Sequence, residues 1–280
     1  MTSHKKRPHT LRVATYNVHK CRGLDQRVRP ERIAQVLDEL DADVIALQEV
    51  VGRGGHSTHD QARYVADALD YHPIFGENRR HNGAAYGNLL LSRFPVLDFW
   101  NYDITARGRE PRGVLRADVK LRDEQVLHLF NVHLGTAFLE RRDQAHHLVS
   151  ERILRNQDLA GTRIVLGDFN EWIPGLASRL LSEHFGDLRP GTDGSHRRTY
   201  PCVLPLLRLD HIYFDRGLKL QRLALHRSRK ALIASDHLPV VAEFSLQPRQ
   251  DPVPHHAVFH AKAAHAFRHQ PAVARNSQSG

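Results

Sequence analysis

Residues Ile164-Val165-Leu166-Gly167-Asp168-Phe169-Asn170 carry an apolar run straight into a carboxylate, with an amide two residues on. This pattern constrains the fold most. A short aliphatic run bounded by turn residues reads as a buried strand. At strand spacing Asp168 and Asn170 point to the same side. Polar groups at such an edge are costly unless they bind each other, a metal or a substrate. A turn in which Asp168 caps the following segment is the structural alternative. The ending recurs. Ile45-Ala46-Leu47-Gln48-Glu49 ends in a carboxylate, Thr15-Tyr16-Asn17 in an amide and Phe130-Asn131-Val132-His133 in an imidazole. Leu209-Asp210-His211 begins a strand with an acid–base pair, and Ser235-Asp236-His237-Leu238-Pro239 precedes the last one. Turns alone do not account for so many endings of mixed carboxylate, amide and imidazole.

The remaining periodicity fits many strands and a few covering helices. Alternation predicts a strand over 11–17, and 3.6-residue spacing with Pro30 at its start predicts a helix over 30–40. A buried strand at 44–47 leads to a Gly/His loop at 51–60 and a helix at 61–69. Strands are expected at 71–75, 86–92, 96–102, 114–121 and 125–133. A long amphipathic helix at 138–159, a strand at 163–166 and a polar Gly-rich stretch at 186–198 come next. Strands at 208–214, 218–225 and 239–245 close the pattern. Many strands with a few covering helices suggest an α+β fold or a four-layer sandwich. Three regions follow: a basic extension over 1–10, a catalytic domain over 11–247, and a flexible or partly helical tail over 248–280. That tail holds five of the histidines, from His255 to His269.

Composition excludes several classes. A hydrophobic fraction of 41% in 280 residues is ordinary for a globular core. No apolar run approaches membrane-span length, and none follows the basic N-terminus as a signal segment would. Cys21 and Cys202 lack CxxC spacing, which argues against a zinc knuckle and for a reducing compartment. The expected location is cytoplasmic. The net charge of +9 favours polyanions: nucleic acid, lipid headgroups or phosphorylated small molecules. The candidate donors are carboxylates and amides, which suit a hard cation such as Mg²⁺. Zinc would call for a compact His/Cys cage. No GxSxG elbow supports Ser235 as a nucleophile, and no Walker loop is present.

Taken in order, Asn17, Gln48-Glu49, Gly167-Asp168-Phe169-Asn170, Asp210 and Ser235-Asp236-His237 resemble the endonuclease/exonuclease/phosphatase superfamily, over about residues 11–244. The resemblance implies the α+β class, as a DNase I-like four-layer α/β sandwich with two mostly antiparallel sheets flanked by helices. It implies Mg²⁺, with Mn²⁺ as the alternative, held by Glu49 with Asn17 and Asp236. Asp168 would orient and deprotonate the attacking water, helped by Asn170. His237 would contact the scissile phosphate, and Asp210 would fix its tautomer. His133 matches the histidine beside the leaving group. The strand at 86–91 offers it no acid, so contact with phosphate or metal-bound water is expected instead. Arg112 is favoured over Arg109 as a phosphate contact, because Gly113 lets the backbone approach closely. Asn17 and His19 would also bind substrate. His19 stands where the repair endonucleases carry an Asp, and with Lys20 it adds positive charge.

The expected reaction is hydrolysis of a phosphodiester, of a lipid headgroup or a small molecule, by metal-assisted water attack. Asn17-Val18-His19-Lys20-Cys21-Arg22-Gly23 and Glu110-Pro111-Arg112-Gly113 resemble uncharacterised bacterial members for which a link to lipids has been suggested. A DNA endonuclease or exonuclease is the alternative, and a non-catalytic phosphate-binding module a third. The partners expected are a phosphorylated substrate and an anionic membrane surface, with the chain itself monomeric.

Overall fold

A computed structural model of the chain describes residues 10–54, 60–121, 125–173, 175–187, 198–215 and 218–246. Most of the basic extension, the tail from 248 onward with its histidines, and most of the polar 186–198 stretch lie outside the described residues.

Among the described residues, twelve strands form two six-stranded sheets. The first runs β11 (Lys219–Leu225), β12 (Val240–Ser245), β1 (Thr10–Asn17), β2 (Val44–Gly54), β4 (Ala84–Ser92), β3 (His72–His81). The second runs β5 (Val96–Asp103), β6 (Gly113–Lys120), β7 (Val126–His133), β8 (Thr162–Asp168), β10 (Asp210–Phe214), β9 (Gly186–Asp187). Each sheet is antiparallel except for one central parallel pair, β1 with β2 and β7 with β8.

Two-residue alternation sorts the strands into layers. Leu11, Val13, Val44, Ala46, Leu90, Leu115, Ala117, Leu127, Leu129, Ile164, Leu166 and Ile212 meet between the sheets. On the outer face of the first sheet, Ala14, Tyr16, Ile45, Leu47 and Leu89 pack against α1 (Pro30–Leu40) and α2 (Gln61–Leu69). On that of the second, Phe130, Val132, Val165 and Tyr213 meet α3 (Phe138–Leu148) and α4 (Leu176–His184). This is the expected four-layer sandwich. Both first-sheet helices stop at a left-handed Asp, Asp41 and Asp70, and the Asp60 carboxylate caps the start of α2 by accepting from the Arg63 amide.

Several expectations change. The helix expected over 138–159 ends at Leu148. There the Ser150 hydroxyl donates to the His147 carbonyl, a bond that competes with helix continuation. The 51–60 loop is strand as far as Gly54, because β2 resumes pairing with β4 after a bulge. β3 extends to His81, well past 75. α4 was not foreseen, and neither were two short turns of helix, η1 (His19–Cys21) and α5 (Ala231–Ala234). No helix among the described residues is long and apolar enough to cross a membrane.

On the outer face of the second sheet, Asp118 accepts from Arg116 Nε at 2.8 Å and lies 2.7 Å from His128 Nδ1. Burial pushes the Asp118 carboxyl upward, but Arg116 and His128 outweigh it and hold it below its usual value. A depressed folded-state pKa stabilises above the unfolded value of about 4 and loses that contribution as pH falls through the folded one. Asp118→Asn should therefore lower the thermal midpoint clearly at pH 7 and much less at pH 3. Equal losses at both would show that the charge is irrelevant.

Candidate active site

The strand register brings the polar endings together. Asn17 is level with Gln48 across the parallel β1–β2 pair. In the second sheet Asp168 has His133 on one side and Asp210 on the other. Alternation turns Thr15, Asn17, Gln48, Asn131, His133, Asp168 and Asp210 to the inter-sheet side. The apolar core thus gives way to polar groups at one end of the sandwich. Gly167 makes the close β7–β8 approach possible: its φ is 149°, and a Cβ there would lie 1.9 Å from the Val132 carbonyl oxygen.

Beneath the site a buried network ties the sheets together. Gln48 donates to Thr15 Oγ1 at 3.1 Å and to Asn131 Oδ1 at 2.8 Å. Asn131 donates to the Leu47 and Leu89 carbonyls. Asn88 donates to the Gly113 and Asn131 carbonyls. Asn88 is therefore a bridge between sheets, and its Oδ1 is buried without a hydrogen-bond partner.

Glu49 reaches the site through a break in the alternation. Its φ is 59°, inside the bulge where the β2–β4 register shifts between Leu47 and Val50. A left-handed non-glycine residue costs roughly 1 kcal/mol or more and persists where its surroundings hold it. Asn17 Nδ2 donates to Glu49 Oε1 at 3.2 Å, and Lys20 Nζ donates to Oε2 at 2.7 Å. Burial pushes the Glu49 carboxyl up, but His133 and Lys20 more than offset it, so the group is held well below the usual carboxylate range. His19, Lys20 and Cys21 are all left-handed as well, and the His19 amide donates to Asn17 Oδ1.

Asp168 occupies the centre. Its Oδ2 accepts from Asn17 Nδ2 at 2.9 Å and lies 3.8 Å from His133 Nε2 and 3.7 Å from His237 Nε2. Burial raises its pKa, and the charge of Asp210 adds to the rise. His237 Nδ1 is 2.9 Å from Asp210 Oδ2. Burial disfavours the imidazolium, but Asp210 and Asp168 prevail and raise the His237 pKa to about 10. His133 behaves oppositely. Burial and the neighbouring Arg112 lower it to about 4. Arg112 Nη1 lies 3.2 Å from His133 Nδ1. Guanidinium has only donors, so Nδ1 must accept, and the neutral ring carries its proton on Nε2.

The other predicted positions are less central. Asn170 does not continue the strand: its φ is 51°, its amide donates to Asp168 Oδ1, and its side chain donates to the Leu134 carbonyl. Strand spacing misplaced it because the chain turns at Phe169, where Asp168 does cap the turn. Asp236 contacts Ser235 Oγ and lies 3.5 Å from His19 Nδ1. Ser235 Oγ donates to the Asn17 carbonyl, fastening the His237 loop to β1. Gly113 serves a different approach from the one expected, since a Cβ there would strike Asn78 Oδ1 at 2.2 Å. Three neighbours went unforeseen. Tyr200 packs its ring 5.0 Å from that of His237. Tyr86 lies under Lys20 and Arg79. Glu110 bridges Arg112 and Arg79. Tyr86 left a trace in the sequence through its two-residue spacing from Asn88, and Glu110 through its place in Glu110-Pro111-Arg112-Gly113.

A sequence model of the endonuclease/exonuclease/phosphatase family matches residues 14–237, spanning all of these positions. The chain belongs to that family. Its superfamily comprises hydrolases of phosphoester bonds. YbhP of Escherichia coli K12, itself uncharacterised, is 30% identical over 257 residues, covering 85% of this chain and 97% of its own. The fold is shared with an endonuclease/exonuclease/phosphatase from Beutenbergia cavernae (TM-score 0.66, 22% identity, 85% of this chain and 72% of that one). It is also shared with a mannosyl-6-phosphatase from Bacteroides thetaiotaomicron (TM-score 0.68, 19% identity, 84% and 100%).

Members of the endonuclease/exonuclease/phosphatase family generally use divalent metals, and two parts of this site bear on that. Asp168, Asp210 and His237 have ligand atoms within 4.8 Å of one another, and Asp210 Oδ1 is buried without a hydrogen-bond partner. In that trio the His237 ring is joined to Asp210 by the 2.9 Å Nδ1–Oδ2 hydrogen bond, while each carboxylate offers one oxygen to an ion. Glu49 is ionised, oxygen-donating and already draws an ammonium. Its edge fits a hard divalent cation.

Proposed function

We propose that the protein is a Mg²⁺-dependent phosphodiesterase acting on a lipid headgroup or small-molecule diester, with Mn²⁺ as a substitute ion. The observation that carries the reading is the charge balance of the site. Glu49, Asp168, Asp210 and Asp236 face Lys20, His237 and Arg112, with the Arg79–Glu110 pair cancelling itself. Four carboxylates against three cations leave one negative charge, which repels any phosphate. A divalent cation reverses it to one positive charge, matched to a monoanionic diester.

In this reading Glu49 is the principal metal ligand, with Asn17 orienting its carboxylate. Bound there, the ion would neutralise charge on the phosphoryl oxygens. Asp168, made more basic by burial, positions the attacking water and accepts its proton. His237 presents Nε2–H as an imidazolium steadied by Asp210, and His133 presents Nε2–H from a neutral ring. Arg112 fixes that tautomer rather than gripping phosphate alone. Asn170 holds Asp168 in place. His19 and Asp236 sit at the rim as a substrate-side pair. The nuclease alternative is less supported, because His133 is backed by an arginine where a carboxylate would make it a leaving-group acid.

The test is to assay the purified chain with Mg²⁺ against bis-p-nitrophenyl phosphate, phospholipids and abasic-site DNA. Hydrolysis of the diester and of lipid is expected. Cleavage of abasic DNA alone would refute the substrate reading. Lys20→Met should tighten Mg²⁺ or Mn²⁺ binding, read by calorimetry, by roughly 2–10-fold, because an ion pair of this exposure is worth on the order of 1 kcal/mol. Unchanged affinity would place the ion away from Glu49.

A further inference from the structure

We propose that the loops bordering the site form a docking surface for a phospholipid bilayer containing anionic lipid. The proposal deepens the phosphodiesterase reading and rests on it for the purpose of docking. Large apolar side chains normally leave water on folding, and an exposed cluster marks a contact surface. Phe138 and Leu139 follow β7 and are each 62% exposed, while Trp172 and Ile173 follow β8 at 63% and 80%. Val203 and Leu204 precede β10 at 63% and 66%. The parent strands are neighbours, with His133, Asp168 and Asp210 in register. The three loops therefore leave the sheet side by side at the site, each within seven residues of a site position.

The exposure is built into the fold. Asn170 Nδ2 and Arg141 Nη1 donate to the Leu134 and Gly135 carbonyls, which fixes the first loop. In the second loop, the Glu171 carboxylate accepts from the Gly175, Ala177 and Ser178 amides. The Cys202 amide donates to the Asp236 carbonyl in the third. Among the described residues these segments carry Glu140 and Glu171, both buried, and one exposed acid, Asp143, next to Arg142. Arg142 and Arg198 are exposed. The outward face is thus apolar with a cationic border, in a chain of net charge +9. Anionic headgroups over hydrocarbon are its complement. Nucleic acid is the poorer match, since Leu139, Ile173, Val203 and Leu204 have no ring to stack on a base. A docked membrane would bring headgroup phosphates to the edge that holds Asp168.

The chain has two tryptophans, so Trp100→Phe leaves Trp172 as the only reporter. Vesicles of phosphatidylcholine and phosphatidylglycerol should shift its emission to the blue, and brominated lipid should quench it. The combined Leu139→Ser, Trp172→Ser, Ile173→Ser variant should sediment with these vesicles about tenfold less or worse. Its hydrolysis of the water-soluble diester should be unchanged. An unshifted emission would overturn the proposal. So would a triple variant that sediments like the parent, or a shift produced by a DNA duplex and not by vesicles. Asp168→Asn should dock like the parent while losing hydrolysis; a parent chain that docks yet hydrolyses no diester would sink the phosphodiesterase reading alone.

Discussion

Asp168→Asn will lower Mg²⁺-stimulated hydrolysis of bis-p-nitrophenyl phosphate by about 10³-fold or more, with the fold intact. The carboxylate oxygen at stake accepts from Asn17 and lies within 4 Å of two imidazole nitrogens. An amide is nearly the same size, so packing survives, but it cannot take a proton from water. It also removes the charge that helps keep His237 protonated. The measurement is kcat for the variant beside parent protein, with circular dichroism confirming the fold. His237→Ala should lose about 10²–10⁴-fold by the same assay. A variant of either kind that hydrolyses at the parent rate would remove these residues from the mechanism.

The second large effect concerns stability. Asn131→Leu keeps the volume but removes an amide that is fully buried and donates to the Leu47 and Leu89 carbonyls while accepting from Gln48. Each buried polar group left without its partner costs about 1–3 kcal/mol. The expected loss is about 3 kcal/mol, a fall in thermal midpoint of roughly 6–12 °C for a chain of this size. Because this network is the floor beneath Asn17 and His133, activity should fall below the melting transition as well. A loss under about 1 kcal/mol would mean that the two sheets are held by apolar packing alone.

Much of the fold was legible because alternation and capping are local. Helix α1 runs from Pro30 to Leu40 and α2 from Gln61 to Leu69, where spacing placed them. The strand endings named the site for the same reason: a carboxylate closing a buried apolar run is unusual in any fold. Legibility failed where a longer-range contact decided the chain. Glu49 reaches the site through a bulge set by pairing with β4. Asn170 turns left-handed to brace a loop on Leu134, against the strand reading of its spacing. One failure was local instead: helix α3 stops at Leu148, short of its apolar periodicity, where the Ser150 hydroxyl takes the His147 carbonyl.

The sequence by itself determined the layers, the family and the kinds of group at the site, since all three are written in periodicity and residue type. Only the tertiary structure decided what those groups are chemically. His237 and His133 are the same residue type, yet one is raised to about 10 between two carboxylates and the other lowered to about 4 beside Arg112. Those neighbours come from distant strands and loops, and a pKa is set by the charges and the burial that surround a group in space.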